Sequence, residues 1–400
     1  MRLQPLARII IAATALALLG SSAASAQFDY TDSPGEMPNL QTAVLTSELD
    51  DETTSELVVR VAQDYQDKMG ARTQAPQQRN NKKKNRAQTV VGGFVTESLA
   101  DSASVSTEVF NQSREENTGL IIVSGGDGQY DVGIAATTRA TIIDLGQPRP
   151  CVNEAGRPDS TGECAGSASS VPFNYTAVEF AVEDGAFLAG VLAAKASRGG
   201  RLGVISGYEG CRECQRYVEG FVNGVHWVDP NKDVVVDYLA DNEQDGFGDP
   251  ETARTFTETF LDVYQPTVLL PIGRAANEAM IEAACDADVL TISVGYDISE
   301  TRNDLRNCVM LAVNKDVERA IREAMYNFSI TESERVMRYD LANDAVTVSE
   351  RWQERFAGYP SDTIDFYNEA REGLRSGQIK ACPDGCGGSL PEFEPQTGDE

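Results

Sequence analysis

The chain has 400 residues, and its 62 acidic against 34 basic side chains leave a net charge of −28. That surplus argues against a nucleic-acid backbone or an anionic membrane surface as partner, and its plain reading is solubility in an exported setting. The length suits two domains.

Residues 1–26 read as a signal peptide. Arg2 and Arg8 give a basic start, Ile9 to Leu19 is an apolar run too short to span a bilayer, and Ala24-Ser25-Ala26 is a small-residue cleavage site. No Cys follows the apolar run, so no lipid attachment is expected there, and the predicted location is the periplasm. Residues 27–39 are polar and read as loose. Thr42 to Thr46 is a predicted strand. Leu57, Val58, Val61, Tyr65 and Met69 then share one face of a helix over 55–69, which Gly70 should end. The polar stretch 71–87 contains RNNKKKNR at 79–86, either a surface loop or a docking patch for an acidic partner. A strand over 90–95, a helix over 101–117, a strand over 120–124, a short helix and a strand over 140–144 complete a first α/β lobe.

Residues 146–172 are rich in Gly, Pro and Ser and read as a linker or ordered loop between lobes. The βα alternation then restarts. A helix over 184–197 opens with Glu183 and Asp184, suited to a helix N-terminus, and stops at Gly199-Gly200 before the short strand 202–206. A helix over 212–225, a strand over 234–238 and a helix over 251–264 follow. Asp249-Pro250 supplies the N-cap and first-position proline of that last helix. Strand 267–272, helix 275–284 and strand 289–294 close the run. The resulting expectation is two doubly wound, mostly parallel α/β lobes with a cleft between them. The first spans 27–175 and the second 176–298. Residues 299–387 return across the hinge, and 388–400 form a disordered acidic tail.

The eight cysteines fall in four close pairs: Cys151/Cys164, Cys211/Cys214, Cys285/Cys308 and Cys382/Cys386. An even count in an exported chain favours disulfides, with local pairing the simplest connectivity. CREC at 211–214 leaves a zinc site or a thioredoxin-like redox role open. Against a metal cluster or a hydrolytic triad stands the single histidine, His226.

The block EDGAFLAGVLAAKASRGGRLGVISG (183–207) resembles the EGAFLAG…KIGFVGG block of the basic membrane protein (Bmp) family, the PnrA-like nucleoside-binding proteins of ABC importers. YVEGFVNGVHWVDPNKDVVVDYL (217–239) is similar to that family's FEyGFkaGvkyvnPdikVvvkYv, DGFGDPETA (245–253) to GSFsDpakG, ISVGYD (292–297) to IGVDsDq, and VMLAVNKDVERAI (309–321) to VLTSvvKrvdvAv. EAREGLRSGQIKA (369–381) resembles its closing keIksGkIkV, and in the first lobe LIIVSGGDG (120–128) and ATIIDLGQ (140–147) match in layout.

The resemblance implies a two-lobed type I periplasmic binding fold that closes over a small ligand, a nucleoside, and hands it to a membrane permease. It implies no catalysis, no cofactor and no metal, and the protein is expected as a monomer. The family's ligand contacts fall on Phe247 (stacking the base), Gly273 (loop), Asp297 (ribose), Lys315 and Asp144, with Asp51 from the first-lobe acid pair. An aromatic face and a carboxylate suit a flat base and a diol. One motif departs: the family's DDKSFNqs reads DDETTSEL here (50–57), so Thr54 and Ser55 stand where Phe and Asn are expected. Either Phe94 or Tyr130 supplies the second aromatic wall, or the ligand is not a purine nucleoside. A ligand sensor presenting its closed form to a membrane receptor is the alternative function, and a thiol oxidoreductase a more distant one.

Overall fold

A computed structural model describes residues 41–50, 52–74, 94–126, 128–146, 150–158, 170–329, 334–349, 352–353, 360–383 and 385–386. The signal-peptide segment, the basic run 79–86, Asp51, Cys164 and the acidic tail lie outside the described residues.

The apolar runs become two mostly parallel sheets whose central strands are buried on both faces, as such runs require. The first half contributes β1 (Gln41–Ser47), α1 (Glu52–Gln74), β2 (Phe94–Leu99), α2 (Ser102–Arg114), β3 (Thr118–Ser124), α3 (Gly128–Ala135), β4 (Thr141–Leu145) and β5 (Tyr175–Phe180). The second contributes α4 (Val182–Ala196), β6 (Leu202–Tyr208), α5 (Arg212–Val228), β7 (Val234–Ala240), α6 (Glu243–Phe247), α7 (Pro250–Tyr264), β8 (Val268–Ile272), α8 (Asn277–Asp286), β9 (Leu290–Gly295) and β10 (Val309–Lys315). The remaining elements are α9 (Val317–Ser329), β11 (Val336–Tyr339), β12 (Val346–Val348) and α10 (Thr363–Arg375).

The first sheet has the order β11-β5-β4-β3-β1-β2 with every pair parallel. The second is β12-β10-β9-β8-β6-β7, antiparallel only between β10 and β12. The expected two-lobed, doubly wound fold is therefore present, with β2 later than the strand expected over 90–95, with β5, β11 and β12 added to the expected strands, and with the following further differences. Helix α1 runs through Gly70 to Gln74, because one glycine costs a helix only about 1 kcal/mol. The segment from 146 to 172 connects β4 to β5 inside the first sheet rather than joining the lobes. The lobe boundary expected at 175/176 falls within β5, and the chain crosses at Ala181.

Two further crossings follow: after β10 at Asp316, where α9 packs against α1, and through 340–345 between β11 and β12. The crossings brace one another. Ala181 N donates to Tyr339 O at 2.7 Å and Asp316 N to Ala345 O at 2.8 Å. Beside them Arg216 and Arg338 are held between Glu179 and Glu183. One apolar core runs through both lobes along α1, α4, α5 and α9. Helices α4 and α5 approach closely at glycines: a Cβ on Gly224 would stand 2.0 Å from the carbonyl oxygen of Phe187.

Helix α7 starts as its sequence requires, with Asp249 accepting from the backbone N–H groups of Glu251 and Thr252 ahead of Pro250. Disulfides join Cys211 to Cys214, Cys285 to Cys308 and Cys382 to Cys386, with Cα separations of 5.2, 5.4 and 5.2 Å. Cys151 is also disulfide-bonded. With Cys211 and Cys214 closed on each other, and no described cysteine free, the CREC motif stands as a disulfide.

Candidate functional site

Open α/β sheets bind ligands beyond the carboxyl ends of their strands. Both sheets here turn those ends toward one interlobe cleft of about 1130 Å³. The first-lobe wall is the end of β1 and the first turns of α1, from Thr46 to Gln63. The opposite wall comes from the ends of β8, β9 and β10 and the start of α5. A second, smaller cavity of about 70 Å³ is bounded by Thr54, by Ser124 at the end of β3 with Gly125, by Gly146 after β4, and by the apolar side chains of Val58, Leu145, Phe180 and Val317.

Four residues border both cavities: Asp50, Glu213, Arg274 and Lys315. All are mostly buried, their side chains 12–22% exposed. Asp50 Oδ1 lies 3.6 Å from the Arg274 guanidinium, a first-lobe acid facing a second-lobe base. Its Oδ2 accepts from Ser124 Oγ at 3.0 Å. Glu213 Oε1 accepts from Lys315 Nζ at 2.9 Å. Arg274 also reaches Glu243 at 3.3 Å, and Ser102 Oγ of the first lobe donates to that same glutamate at 2.5 Å. Ala275 N donates to Leu49 O at 3.1 Å, so backbone and side chains together join the lobes at this edge. Burial pushes the Glu213 carboxyl up, but Lys315 and Arg274 outweigh it and hold the group below the usual carboxylate range.

The residues expected from sequence are placed unevenly around this cleft. Lys315 lines it, its Nζ lying 5.7 Å from the Phe180 ring centroid. Asp51 is outside the described residues, next to the cleft-lining Asp50. Phe247 borders neither cavity. It is fully buried, packed against the backbone of Gly207 and edge-on to Tyr208, and one ring face is covered by the Arg274 guanidinium at 4.8 Å. Gly273 lies between the cleft-lining Ile272 and Arg274. Its absent side chain leaves room for Met280, whose Cε would be 2.1 Å from a Cβ there.

Asp144 is fully buried on the face of β4 that carries Ile142, away from the cleft, and accepts from Tyr175 Oη at 2.7 Å. Asp297 caps its own turn, accepting from Ser299 N at 3.0 Å and Ser299 Oγ at 2.5 Å. Taken residue by residue, ISVGYD against IGVDsDq sets Gly295 opposite the strand-end aspartate. Gly295 has φ +86°, and the cleft side chains at that strand end are Val294 and Tyr296. Neither aromatic proposed for the second wall lines the cleft. Phe94 begins β2, at the amino end of a strand parallel to β1, and Tyr130 is an exposed residue of α3. The aromatic side chains that do line the cavities are Tyr217, Tyr296 and Phe180.

Arg274 and Glu243 had no motif to single them out, and Glu213 lies within CREC, which was read for its cysteines alone. Their only sequence signal is position, at the residues after β8, at the start of α5 and just beyond β7.

Two α/β lobes joined by three crossing segments, with a cleft at the strand ends, define the class of two-lobed solute-binding proteins. Solved structures agree at the level of the fold. A solute-binding protein of an ABC transporter from Aeropyrum pernix K1 superposes with TM-score 0.63 at 13% identity, covering 85% of this chain and 92% of that one. A periplasmic solute-binding protein from Actinobacillus succinogenes, solved with bound D-allose, gives TM-score 0.55 at 13% identity over 79% of this chain and all of that one. The family profile of ABC transporter substrate-binding proteins, PnrA-like (Bmp), matches residues 161–364, and the chain belongs to that family. Among curated relatives, basic membrane protein D of Borreliella burgdorferi is 26% identical over 145 residues, 36% of this chain and 40% of that protein. Basic membrane protein B of the same species is 35% identical over 91 residues, 22% of this chain and 25% of its own length. The matches thus span less than half of either relative.

Proposed function

We propose that the chain is the extracytoplasmic binding subunit of an ABC importer, capturing a small polar ligand between its lobes and delivering it to a membrane permease. The observation that carries this reading is the interlobe cleft at the strand ends, lined by Asp50, Glu213, Arg274 and Lys315 among apolar neighbours, set beside a bundle of three crossings about which the lobes can rotate. Membership in the substrate-binding family supports it. Among the described residues no helix is long and apolar enough to cross a membrane. Export through the 1–26 segment and residence in the periplasm belong to the same proposal, as does action as a monomer without bond making or breaking.

The nucleoside implied by the family motifs is the first ligand to test. Lys315 is the expected contact that meets the cleft surface, whereas Phe247, Gly273, Asp144 and Asp297 stand behind it. The test is a thermal-shift screen of the exported chain against purine and pyrimidine nucleosides, free bases, ribose and charged solutes, with small-angle scattering before and after addition. A ligand at about 100-fold above its Kd stabilises by about 2.7 kcal/mol. A shift accompanied by a smaller radius of gyration supports capture by closure. No shift with any solute, and no compaction, removes the reading.

A further inference from the structure

Arg274 and Glu213 stand on the second-lobe wall of the cleft, and each keeps hydrogen-bonding capacity that the protein does not use. A guanidinium has donors on all three of its nitrogens. In Arg274 only Nη1 is engaged among the described residues: it donates to Glu243 Oε1 at 3.3 Å and lies 3.6 Å from Asp50 Oδ1. Its Nε–H and Nη2–H groups make no hydrogen bond there, while the Phe247 ring backs the group at 4.8 Å. Glu213 is the counterpart. Its Oε1 accepts from Lys315 Nζ at 2.9 Å, and its Oε2 has no donor among the described residues. Lys315 and Arg274 keep this carboxyl ionised, so it accepts and does not donate. The two side chains are 22% and 20% exposed, so the unspent groups are not sealed into the core.

The wall thus offers unspent donors near an unspent acceptor. A neutral ligand that meets both adds hydrogen bonds and leaves every ion pair in place, so no buried charge is stranded. Nucleobases divide on this pattern. Hypoxanthine, guanine and uracil have a lactam edge, a carbonyl oxygen beside a ring N–H. In guanine and hypoxanthine N7 lies next to that carbonyl, the acceptor pair that arginine grips. Adenine and cytosine carry the reverse edge, an amino group beside a bare ring nitrogen. Against this wall their amino hydrogens meet a guanidinium and their ring nitrogen meets a carboxylate, and neither contact is a hydrogen bond.

From this pattern we infer that the cleft selects nucleosides with a lactam-edged base, Arg274 donating to the carbonyl oxygen and Glu213 accepting from the neighbouring ring N–H. The inference rests on the solute-binding reading with a nucleoside as ligand, and names the base class and the two residues that set it. Recognition by the edge also suits a cleft whose aromatic walls have changed. Thr54 stands where one is expected, and Phe247, at the other, is covered by Arg274.

The experiment is isothermal titration calorimetry on the full exported chain with inosine, adenosine, guanosine and 1-methylinosine. Inosine and adenosine are nearly the same size and differ only along the edge in question. Inosine is expected to bind about 30-fold more tightly than adenosine, which loses a hydrogen bond to each of two charged groups. Guanosine should fall with inosine. In 1-methylinosine the carbonyl stays and the ring N–H is lost, so its binding should weaken about tenfold. Glu213→Gln and Arg274→Met should each narrow the inosine-to-adenosine ratio to a few-fold, with unchanged far-UV circular dichroism as the control for folding. A residue that only supports the fold would weaken both nucleosides alike and leave the ratio unchanged. The comparison among nucleosides needs no variant, so it stands even if a substitution unfolds the protein. Equal binding of inosine and adenosine, or tighter binding of adenosine, overturns the inference and leaves nucleoside capture intact. A ratio undiminished in both variants overturns the assignment to Arg274 and Glu213. Absence of binding by every nucleoside overturns the inference as well, and the wider solute screen with scattering then decides separately whether the protein captures any solute.

Discussion

Phe247 offers a test that separates a core residue from a ligand-stacking wall. Its ring is fully buried, its edge fills the space beside Gly207, where a Cβ would come within 2.0 Å of the ring, and Tyr208 and Arg274 cover it further. Removing a buried phenylalanine ring costs about 3–5 kcal/mol, from lost transfer energy and the cavity left behind. The guanidinium–ring contact is lost with it. In a lobe of this size each kcal/mol shifts the midpoint by about 2–4 °C. Phe247→Ala should therefore lower the melting temperature of the ligand-free protein by roughly 10 °C, read by calorimetry. Phe247→Leu, which refills most of the volume, should recover more than half of that loss. A ligand-free melting temperature within about 2 °C of the parent, together with abolished ligand binding, would refute this account and make the ring a binding surface.

Three further outcomes are expected. Burial, and Glu183 beside it, raise the Asp184 carboxyl from 3.8 to about 7, so its stabilising contribution is intact below pH 4 and is lost as pH rises through 7. Asp184→Asn should thus be close to neutral at low pH and stabilising at pH 8, by at most about 4 kcal/mol, and equal denaturant midpoint shifts at both values would contradict it. Gly224→Ala should lower stability by about 1–3 kcal/mol, because the new Cβ meets the Phe187 carbonyl. Helix propensity alone would raise stability by about 1 kcal/mol, so the sign of the change in a urea titration discriminates. Replacing Cys285 and Cys308 together by serine opens the tie between α8 and the approach to β10 across a sequence separation of 23, and should cost about 3 kcal/mol in non-reducing calorimetry.

Local chemistry was legible. Asp249-Pro250 opens α7 because a cap and a first-turn proline act within four residues, and the alternation of apolar runs with amphipathic stretches announced both sheets. The family wording of 183–207 and 309–321 pointed to the solute-binding class, and Lys315 from that wording does reach the cleft. The assignment of strands to sheets was not legible. β11 and β12 span four and three residues, too short to carry a period, and β5 looks the same in sequence whether it closes the first sheet or opens the second.

By itself, then, the sequence determined where strand and helix patterns alternate, where helices start, and which family the chain resembles, because all of these depend on residues close together along the chain. Only the tertiary structure decided what faces the cleft. Phe247 and Asp144 have the residue types of binding groups, yet each is turned inward by the face of the element that carries it. Asp50, Glu213, Arg274 and Lys315 stand tens to hundreds of positions apart in the chain, and they become one ionic set because the strand ends of two lobes meet across a hinge. Such electrostatic pairing depends on distance in space and on burial, and neither is written in the order of the residues.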